Sequence, residues 1–186
     1  NYPEITFGRY TSETKEKENE ARDLYLKMNR GDEPLPNELI SRQRMWETPP
    51  HILLTNYAML EYLLLRPEDN VFFDGKDSNY WRFLVLDEVH TYAGAKGIET
   101  GMLLRRLKER IGVEGGDFTC IATSATLGSG EEDYPEVCSF ARNLFGEEFQ
   151  WDQADSHRQD VVGPSVEERI QTESWGRPSP RLYRSW

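Results

Sequence analysis

The chain has 186 residues, which is enough for one domain with a hydrophobic core. It carries 22 basic and 33 acidic residues, and the resulting net charge of −11 argues against a generic basic nucleic-acid binder. Two cysteines are too few for a disulfide framework, no signal-peptide core opens the sequence, and no apolar run approaches the roughly 20 residues of a membrane span, so we expect a cytoplasmic protein without a membrane contact.

The first fifty residues predict a short strand and two helices. Ile5 to Phe7 is a possible strand, and the basic, aromatic and hydroxyl residues that follow it either contact a phosphate backbone or form an ordinary turn. Apolar residues at three- and four-residue steps predict a helix over 16–30. Asn37 is placed to cap a second short helix that runs through Glu47 and ends before two prolines.

The next segment predicts a buried strand followed by an apolar helix. The strand covers 51–56 and ends at Thr55 and Asn56. The helix covers 57–66 and is closed by Pro67. A polar loop is expected over 67–80.

A strand over 80–86 leads into two adjacent carboxylates, Asp87 and Glu88, and His90 lies two positions further on. Its continuous apolar run, Phe83 to Leu86, is typical of a strand buried on both faces in a parallel sheet. Open α/β sheets bind their ligands at the carboxyl ends of strands, so the two acids lie where ligand chemistry is expected. The alternative is a core strand that ends in two solvated acids.

The remaining pattern predicts two helices, one strand and an irregular end. The helix over 99–111 is expected to bury one side, formed by Met102, Leu103, Leu107 and Ile111. A strand over 118–122 and a helix over 134–145 follow. Twelve acids and three arginines lie between Glu131 and Glu173, which leaves the rest of the chain close to neutral. We expect 150–186 to be a linker or the start of a following region.

Alternating strands and helices predict an α/β fold with a parallel sheet covered on both faces. Three polar clusters follow its strands: Thr55 with Asn56, Asp87 and Glu88 with His90, and Ser124 with Thr126. Since the carboxyl ends of parallel strands meet at one edge of the sheet, we expect these clusters to share a rim.

The sequence Asp87-Glu88-Val89-His90 resembles motif II of a superfamily 2 helicase of the DEAD/DEAH type. Ser124-Ala125-Thr126, 37 residues later, resembles motif III, and Thr55-Asn56 resembles motif Ib. The stretches TNYAMLEYLLLRP, FLVLDEVHTYAGAKGIE and IATSATLGSG resemble the first RecA-like domain of large bacterial helicases. The similarity covers Phe7 to Phe149 and implies a three-layer RecA-like P-loop NTPase domain, of which 1–149 is a part that is incomplete at its N-terminus.

The resemblance implies ATP and Mg²⁺ as cofactors and one strand of DNA or RNA as a partner, held by backbone contacts. Asp87 is implied to bind Mg²⁺ through coordinated waters, and Glu88 is implied to act as the base that positions the attacking water. His90, Ser124 and Thr126 are implied to couple hydrolysis to strand separation. Nucleic-acid contacts are implied for Thr55, Asn56, Gly8, Arg9, Tyr10 and Thr11.

Each of these assignments has an ordinary structural alternative. His90 is also compatible with a structural histidine, and Ser124 and Thr126 with plain turn hydroxyls. Thr55 and Asn56 are also compatible with a helix cap alone, because asparagine is a good N-cap.

The phosphate-binding pattern G-x-x-x-x-G-K-[ST] does not occur in the sequence, and Gly75-Lys76 is followed by Asp77 instead of serine or threonine. We therefore expect a helicase fragment or a split-gene subunit that is inactive alone. Its partner is the remainder of the helicase or a complementary chain, and a sheet that lacks its first strand is expected to be marginally stable or paired. Two other functions stay open: a non-catalytic RecA-like scaffold that engages a partner protein, and a metal-dependent nuclease that uses Asp87, Glu88 and His90.

Overall fold

The computed structural model describes residues 2–74, 81–113, 118–126 and 130–163. Within these ranges the strands are β1 (Phe7–Arg9), β2 (Glu38–Leu39), β3 (Ile52–Leu54), β4 (Phe83–Leu86) and β5 (Thr119–Ala122). The helices are α1 (Glu18–Met28), α2 (Arg42–Glu47), α3 (Tyr57–Leu65), α4 (Gly94–Ile111) and α5 (Tyr134–Phe145). Tyr80, the Gly75-Lys76-Asp77 segment and the part of the expected linker beyond Gly163 lie outside the described residues.

All strand pairings in these ranges are parallel, which confirms the predicted α/β class. One sheet has the order β2-β1-β3, and the other consists of β4 and β5. A parallel pair needs a long crossover between its strands, and here helices supply it, as α4 does between β4 and β5.

The second predicted helix is wrong at its start. Glu38–Leu39 forms β2 beside β1, and α2 begins only at Arg42. Its N-cap is Ser41, whose hydroxyl oxygen accepts a hydrogen bond from the Arg44 N–H at 3.2 Å. Asn37 instead donates its side-chain N–H to the Ile5 carbonyl at 2.7 Å, which ties β2 to the chain that precedes β1.

The predicted polar loop after α3 is also wrong in its first half. Residues Pro67–Phe72 form a 3-10 helix that buries Asp69 and Phe72, and Phe73 is buried directly after it. The Phe72 ring packs edge-on against Tyr10 with ring centroids 5.7 Å apart. Apolar burial therefore fixes a segment whose composition reads as polar.

Helix α4 begins at Gly94, earlier than predicted, and ends at Ile111, and the φ of 67° at the C-cap Gly112 suits glycine. Leu103, Leu107 and Ile111 are buried as expected, but Met102 is 61 % exposed and Leu104 is buried in its place. Among the described residues, no helix is long and apolar enough to cross a bilayer.

The β4-β5 sheet is covered on one face only in the described part of the chain. Leu84 and Cys120 pack against the core residues of the helices. On the opposite face Phe83 is 64 % exposed, Val85 57 % and Ile121 43 %. The expectation that Phe83 to Leu86 is buried on both faces is therefore wrong for these residues, because the described helices pack on the Leu84 side.

Candidate functional site

Strands β4 and β5 bring the two helicase-like motifs together at one rim. The strands pair in register, with Leu86 opposite Ala122. Beyond the last pair, the Thr123 N–H donates to the Leu86 carbonyl at 3.0 Å, and the Val89 N–H donates to the Thr123 carbonyl at 2.9 Å. The expected juxtaposition of Asp87 and Glu88 with the Ser124 segment is thus present.

Thr123 is a site residue to which sequence reasoning gave no role. Its hydroxyl donates a hydrogen bond to Asp87 Oδ1 and accepts one from the Glu88 N–H at 3.3 Å. One side chain therefore fixes both the first carboxylate and the backbone of the second. The sequence indicates this role only through position. Thr123 carries the first hydroxyl after β5, and β5 pairs with β4, which leads into Asp87 and Glu88.

Glu88 has a left-handed backbone conformation, with φ 52° and ψ 50°. Such a conformation is uncommon for residues other than glycine and is concentrated at functional sites. The next residue, Val89, is buried and begins a one-turn 3-10 helix, Val89–Thr91, that carries His90. The turn therefore leaves Glu88 exposed, while Val89 directly after it is buried in the core.

His90 connects the two motifs through one ring nitrogen. Its Nδ1 lies 3.2 Å from Glu88 Oε2 and 3.3 Å from Ser124 Oγ. A serine–histidine–acid relay needs the two partners on opposite ring nitrogens, so this group is not a nucleophilic triad. Thr126 joins through its backbone, since its N–H donates to Ser124 Oγ at 3.2 Å.

The acidic pair suits Mg²⁺ that is completed by ligands from outside the protein. Asp87 and Glu88 are both exposed. Enzymes that act on nucleotides commonly hold Mg²⁺ with one or two carboxylates, substrate phosphates and water. No group of three or more His, Cys, Asp or Glu side chains that could hold a metal ion occurs in the described ranges.

The ends of β1 and β3 form a second rim. The Tyr10 N–H donates to the Leu54 carbonyl at 2.8 Å, and the Thr55 hydroxyl donates to the Tyr10 carbonyl at 2.8 Å. Asn56 caps α3, because its Oδ1 accepts from the Met59 N–H at 2.9 Å. The helix-cap role that the sequence left open is therefore present for Asn56, whereas Thr55 does not cap α3 and instead joins the ends of β1 and β3.

The Gly8 to Thr11 segment alternates between interior and surface. Gly8 is buried, and a Cβ there would lie 2.5 Å from Met45 Sδ. Tyr10 is fully buried with its hydroxyl on Asp69, so its side chain is not open to a ligand in this structure. Arg9 is exposed and Thr11 is half-buried, and the nucleic-acid contacts expected of this segment stay a prediction.

Three curated proteins match the sequence, and all match over part of the chain. Druantia protein DruE of Escherichia coli is 42 % identical over 120 residues, which are 61 % of this chain and 6 % of that protein. ATP-dependent helicase Lhr-Core of Methanothermobacter thermautotrophicus is 36 % identical over 111 residues, covering 58 % of this chain and 11 % of that protein. The uncharacterized ATP-dependent helicase YprA of Bacillus subtilis is 34 % identical over 82 residues, covering 44 % of this chain and 10 % of that protein.

The chain thus spans about a tenth or less of the length of each of these relatives. No protein-family model matches it. The solved structure of the Mycobacterium smegmatis helicase Lhr bound to ssDNA and AMP-PNP aligns with a TM-score of 0.48 and 23 % identity, over 77 % of this chain and 14 % of that one. The sequence matches, taken with motifs II and III, show that this chain contains a region of the superfamily 2 helicase type.

Proposed function

We propose that this chain is part of the ATP-dependent motor of a superfamily 2 helicase, which couples ATP hydrolysis to the binding and unwinding of DNA or RNA. The observation that carries the proposal is the connection between the two motifs. Thr123 bonds to Asp87, and Ser124 lies 3.3 Å from His90. A scaffold has no physical need for these contacts at exposed carboxylates.

On this proposal, Asp87 would hold the Mg²⁺ of bound ATP through coordinated waters, and the ion would supply positive charge that offsets the charge of the phosphates. Glu88 orients a water molecule and takes its proton. The Thr123 hydroxyl holds the Asp87 carboxylate in place and bonds to the Glu88 N–H, so the two acids keep a fixed relation.

His90 supplies the coupling between hydrolysis and movement. Its Nδ1 contacts both Glu88 and Ser124, so a change in the position or charge of Glu88 alters the contact with motif III. Ser124 and Thr126 then carry that change along the segment after β5. His90 therefore joins Glu88 to Ser124 through direct contacts, and not only through its position in the sequence.

The nucleic-acid contacts are proposed at the ends of β1 and β3. Arg9 and Thr11 present a cation and a hydroxyl there, and Thr55 and Asn56 lie beside them at the N-terminus of α3, where backbone N–H groups favour phosphate. Such contacts are made with the sugar-phosphate backbone, so binding should depend steeply on salt and little on sequence.

The proposal treats 1–149 as part of a first RecA-like domain and 150–186 as a linker or the start of a following region, within a cytoplasmic helicase. No phosphate-binding loop of the G-x-x-x-x-G-K-[ST] type occurs in these residues. The remainder of the helicase, or a complementary chain, then supplies it. The exposed apolar side chains of Phe83, Val85 and Ile121 support a further segment packed on β4 and β5.

The same exposed face favours one alternative, a non-catalytic scaffold that binds a partner protein there. The two proposals differ in what Glu88 does. If the protein is a scaffold, removing the charge of Glu88 should change no ATP-dependent activity.

The test is Mg²⁺-dependent ATP hydrolysis by the intact protein that carries this region, with Glu88→Gln and Glu20→Gln compared. We expect Glu88→Gln to lower the rate about 10²-fold or more, since it removes the base. Glu20 is an exposed acid on α1, and its substitution should leave the rate unchanged. Equal rates in the two variants would favour the scaffold.

A further inference from the structure

A buried carboxylate lies beneath the rim formed by β1 and β3. Asp69, in the 3-10 helix after α3, has no exposed side-chain surface. Its Oδ1 accepts hydrogen bonds from the Tyr10 hydroxyl at 2.5 Å and from Trp46 Nε1 at 2.8 Å. The Arg66 guanidinium Nε lies 3.5 Å from its Oδ2.

Such a group is costly to keep in the interior. Removing a carboxylate from water costs several kcal/mol, and apolar residues of similar volume often replace a buried ion pair without loss of stability. In the described structure Asp69 Oδ2 and Arg42 Nε are buried without a hydrogen-bond partner. Stability alone is therefore a weak reason for this arrangement, and what it holds in place is a stronger one.

The group that Asp69 holds is Tyr10, at the centre of the rim. Burial raises the pKa of Tyr10, as do its hydrogen bond to Asp69 and the charge of that carboxylate, so the hydroxyl stays a donor. Successive side chains of an extended chain point to opposite sides, so an inward Tyr10 turns Arg9, the last residue of β1, outward, and Thr11 begins the turn that follows. Their surface exposure agrees with this, since Arg9 is exposed and Thr11 half-buried.

Other parts of the rim are fixed to the same tyrosine. The Arg42 guanidinium lies 5.1 Å from the Tyr10 ring centroid, and its Nη2 donates to the Thr11 carbonyl at 3.1 Å. The Thr55 hydroxyl donates to the Tyr10 carbonyl at 2.8 Å. A displaced Tyr10 would therefore move the ends of β1 and β3 together.

We propose that Asp69 is a positioning residue for nucleic-acid binding: through Tyr10 it holds Arg9, Thr11 and Thr55 in the arrangement that contacts the backbone of a single strand. The inference rests on the proposed nucleic-acid role of this rim. It adds a residue that no motif marks and that touches no ligand itself.

The test uses the full 186-residue chain, with Tyr10→Phe and Asp69→Asn as the variants. The matched control is Tyr25→Phe, since the Tyr25 hydroxyl donates to Glu38 Oε2 at 2.9 Å in another tyrosine–carboxylate pair, opposite Phe7 near the start of β1. Binding is measured by fluorescence anisotropy of labelled oligo-dT over a series of salt concentrations. We expect both rim variants to bind about tenfold more weakly and the salt slope to fall by about one, the change for one lost phosphate contact, with no change in the control.

Amide hydrogen exchange gives a readout that needs no ligand. We expect faster exchange at Tyr10, Thr11 and Thr14 in both rim variants, with α4 amides unchanged. Exchange that rises equally throughout the chain indicates a merely structural role and overturns the inference. Tyr10→Phe, which removes only a hydroxyl, decides the matter if Asp69→Asn does not fold.

The outcomes distinguish the positioning role of Asp69 from the nucleic-acid role of the rim. If Arg9→Ala weakens binding while Tyr10→Phe and Asp69→Asn bind like the wild type, the positioning role is wrong and the nucleic-acid role stands. If the wild-type chain does not bind oligo-dT, the nucleic-acid role of this rim and the positioning role fail together.

Discussion

The two parallel sheets both end in candidate functional residues, but their surroundings differ. At the end of β1, Tyr10 is buried and its hydroxyl is bonded to the interior carboxylate Asp69. At the end of β4, Asp87 and Glu88 are exposed, and the outer face of the strand is bare, with Phe83 64 % exposed. Both rims rest on buried residues, Tyr10 at the first and Val89 at the second, but the first is also held by a buried carboxylate.

This difference shows which site the chain organises by itself. The β1-β3 rim has the buried Asp69–Tyr10 pair beneath it, so it should keep its shape in the isolated chain, although Ile52 and Leu54 of β3 are about half exposed. The β4-β5 rim has an open sheet face, and exposed apolar surface of this kind marks contact with another segment. Its acids should therefore gain their full function only when that face is covered.

The largest contrast is expected between two phenylalanines. Phe145, at the end of α5, is fully buried in a cluster with Val89 and Leu104, so Phe145→Ala should lower the free energy of unfolding by about 3–5 kcal/mol. Phe83→Ala, on the exposed face, should change it by less than about 0.5 kcal/mol. Urea denaturation of the two variants measures both. A large loss in Phe83→Ala would mean that the outer face is covered in the isolated chain.

The buried acid should behave differently from a surface acid close to it in sequence. Asp69→Ala leaves Tyr10, Trp46 and Arg66 without their acceptor, so we expect a loss of roughly 3–5 kcal/mol. Asp74→Ala breaks the more exposed pair with Arg110 and should cost much less, because solvent screens that pair. Equal losses in urea denaturation would contradict the asymmetry between interior and surface.

A smaller effect is expected at the rim of β4 and β5. Thr123→Val removes the hydrogen bonds to Asp87 and to the Glu88 N–H, and should lower the free energy of unfolding by about 0.5–1.5 kcal/mol. Thr123→Ser keeps the hydroxyl and serves as the control. If the two variants unfold at the same urea concentration, the hydroxyl does not hold the rim.

The last expected effect is a pH dependence on the packed face of β5, which is confined to alkaline conditions. Burial raises the pKa of the Cys120 thiol to about 11 from an ordinary value of 9.0. The unfolded chain therefore loses this proton first, and the stability that Cys120 contributes is fully present below pH 9.0 and is lost as the pH rises toward about 11. Urea denaturation across this range should show a shallower decline in Cys120→Ala.

The neighbouring position supplies a control for that interpretation. Ile121 lies on the open face, so the thiol of Ile121→Cys should react quickly with iodoacetamide near neutral pH, while Cys120 reacts slowly. Similar rates at the two positions would show that both faces of β5 are equally accessible.

Local pattern was sufficient for most of the elements. The apolar runs at Ile52–Leu54, Phe83–Leu86 and Thr119–Ala122 predicted the strands, and the parallel arrangement placed Asp87 beside the motif that begins at Ser124. Those predictions depend on neighbours in sequence and on the rule that the carboxyl ends of parallel strands meet at one edge of a sheet. They needed no knowledge of packing.

The failures share a physical cause, which is contact between residues distant in sequence. Asp69 lies in a stretch that reads as a polar loop, and only the donors Tyr10 and Trp46, 59 and 23 residues away, make its burial possible. Thr123 gained a role only through a strand 36 residues earlier. The bare face of Phe83 contradicts a rule about parallel sheets that holds for a sheet with helices on both sides.

The most direct measurement is Mg²⁺-dependent ATP hydrolysis by the isolated 186-residue chain and by the intact protein that carries it, each with and without Glu88→Gln. We call Asp87 and Glu88, which lack a phosphate-binding loop in this chain, a half-site. It predicts no hydrolysis above background by the isolated chain. It predicts hydrolysis by the intact protein that Glu88→Gln abolishes. Robust hydrolysis by the isolated chain that Glu88→Gln abolishes would contradict the half-site, and hydrolysis by the intact protein that survives Glu88→Gln would contradict the role of Glu88.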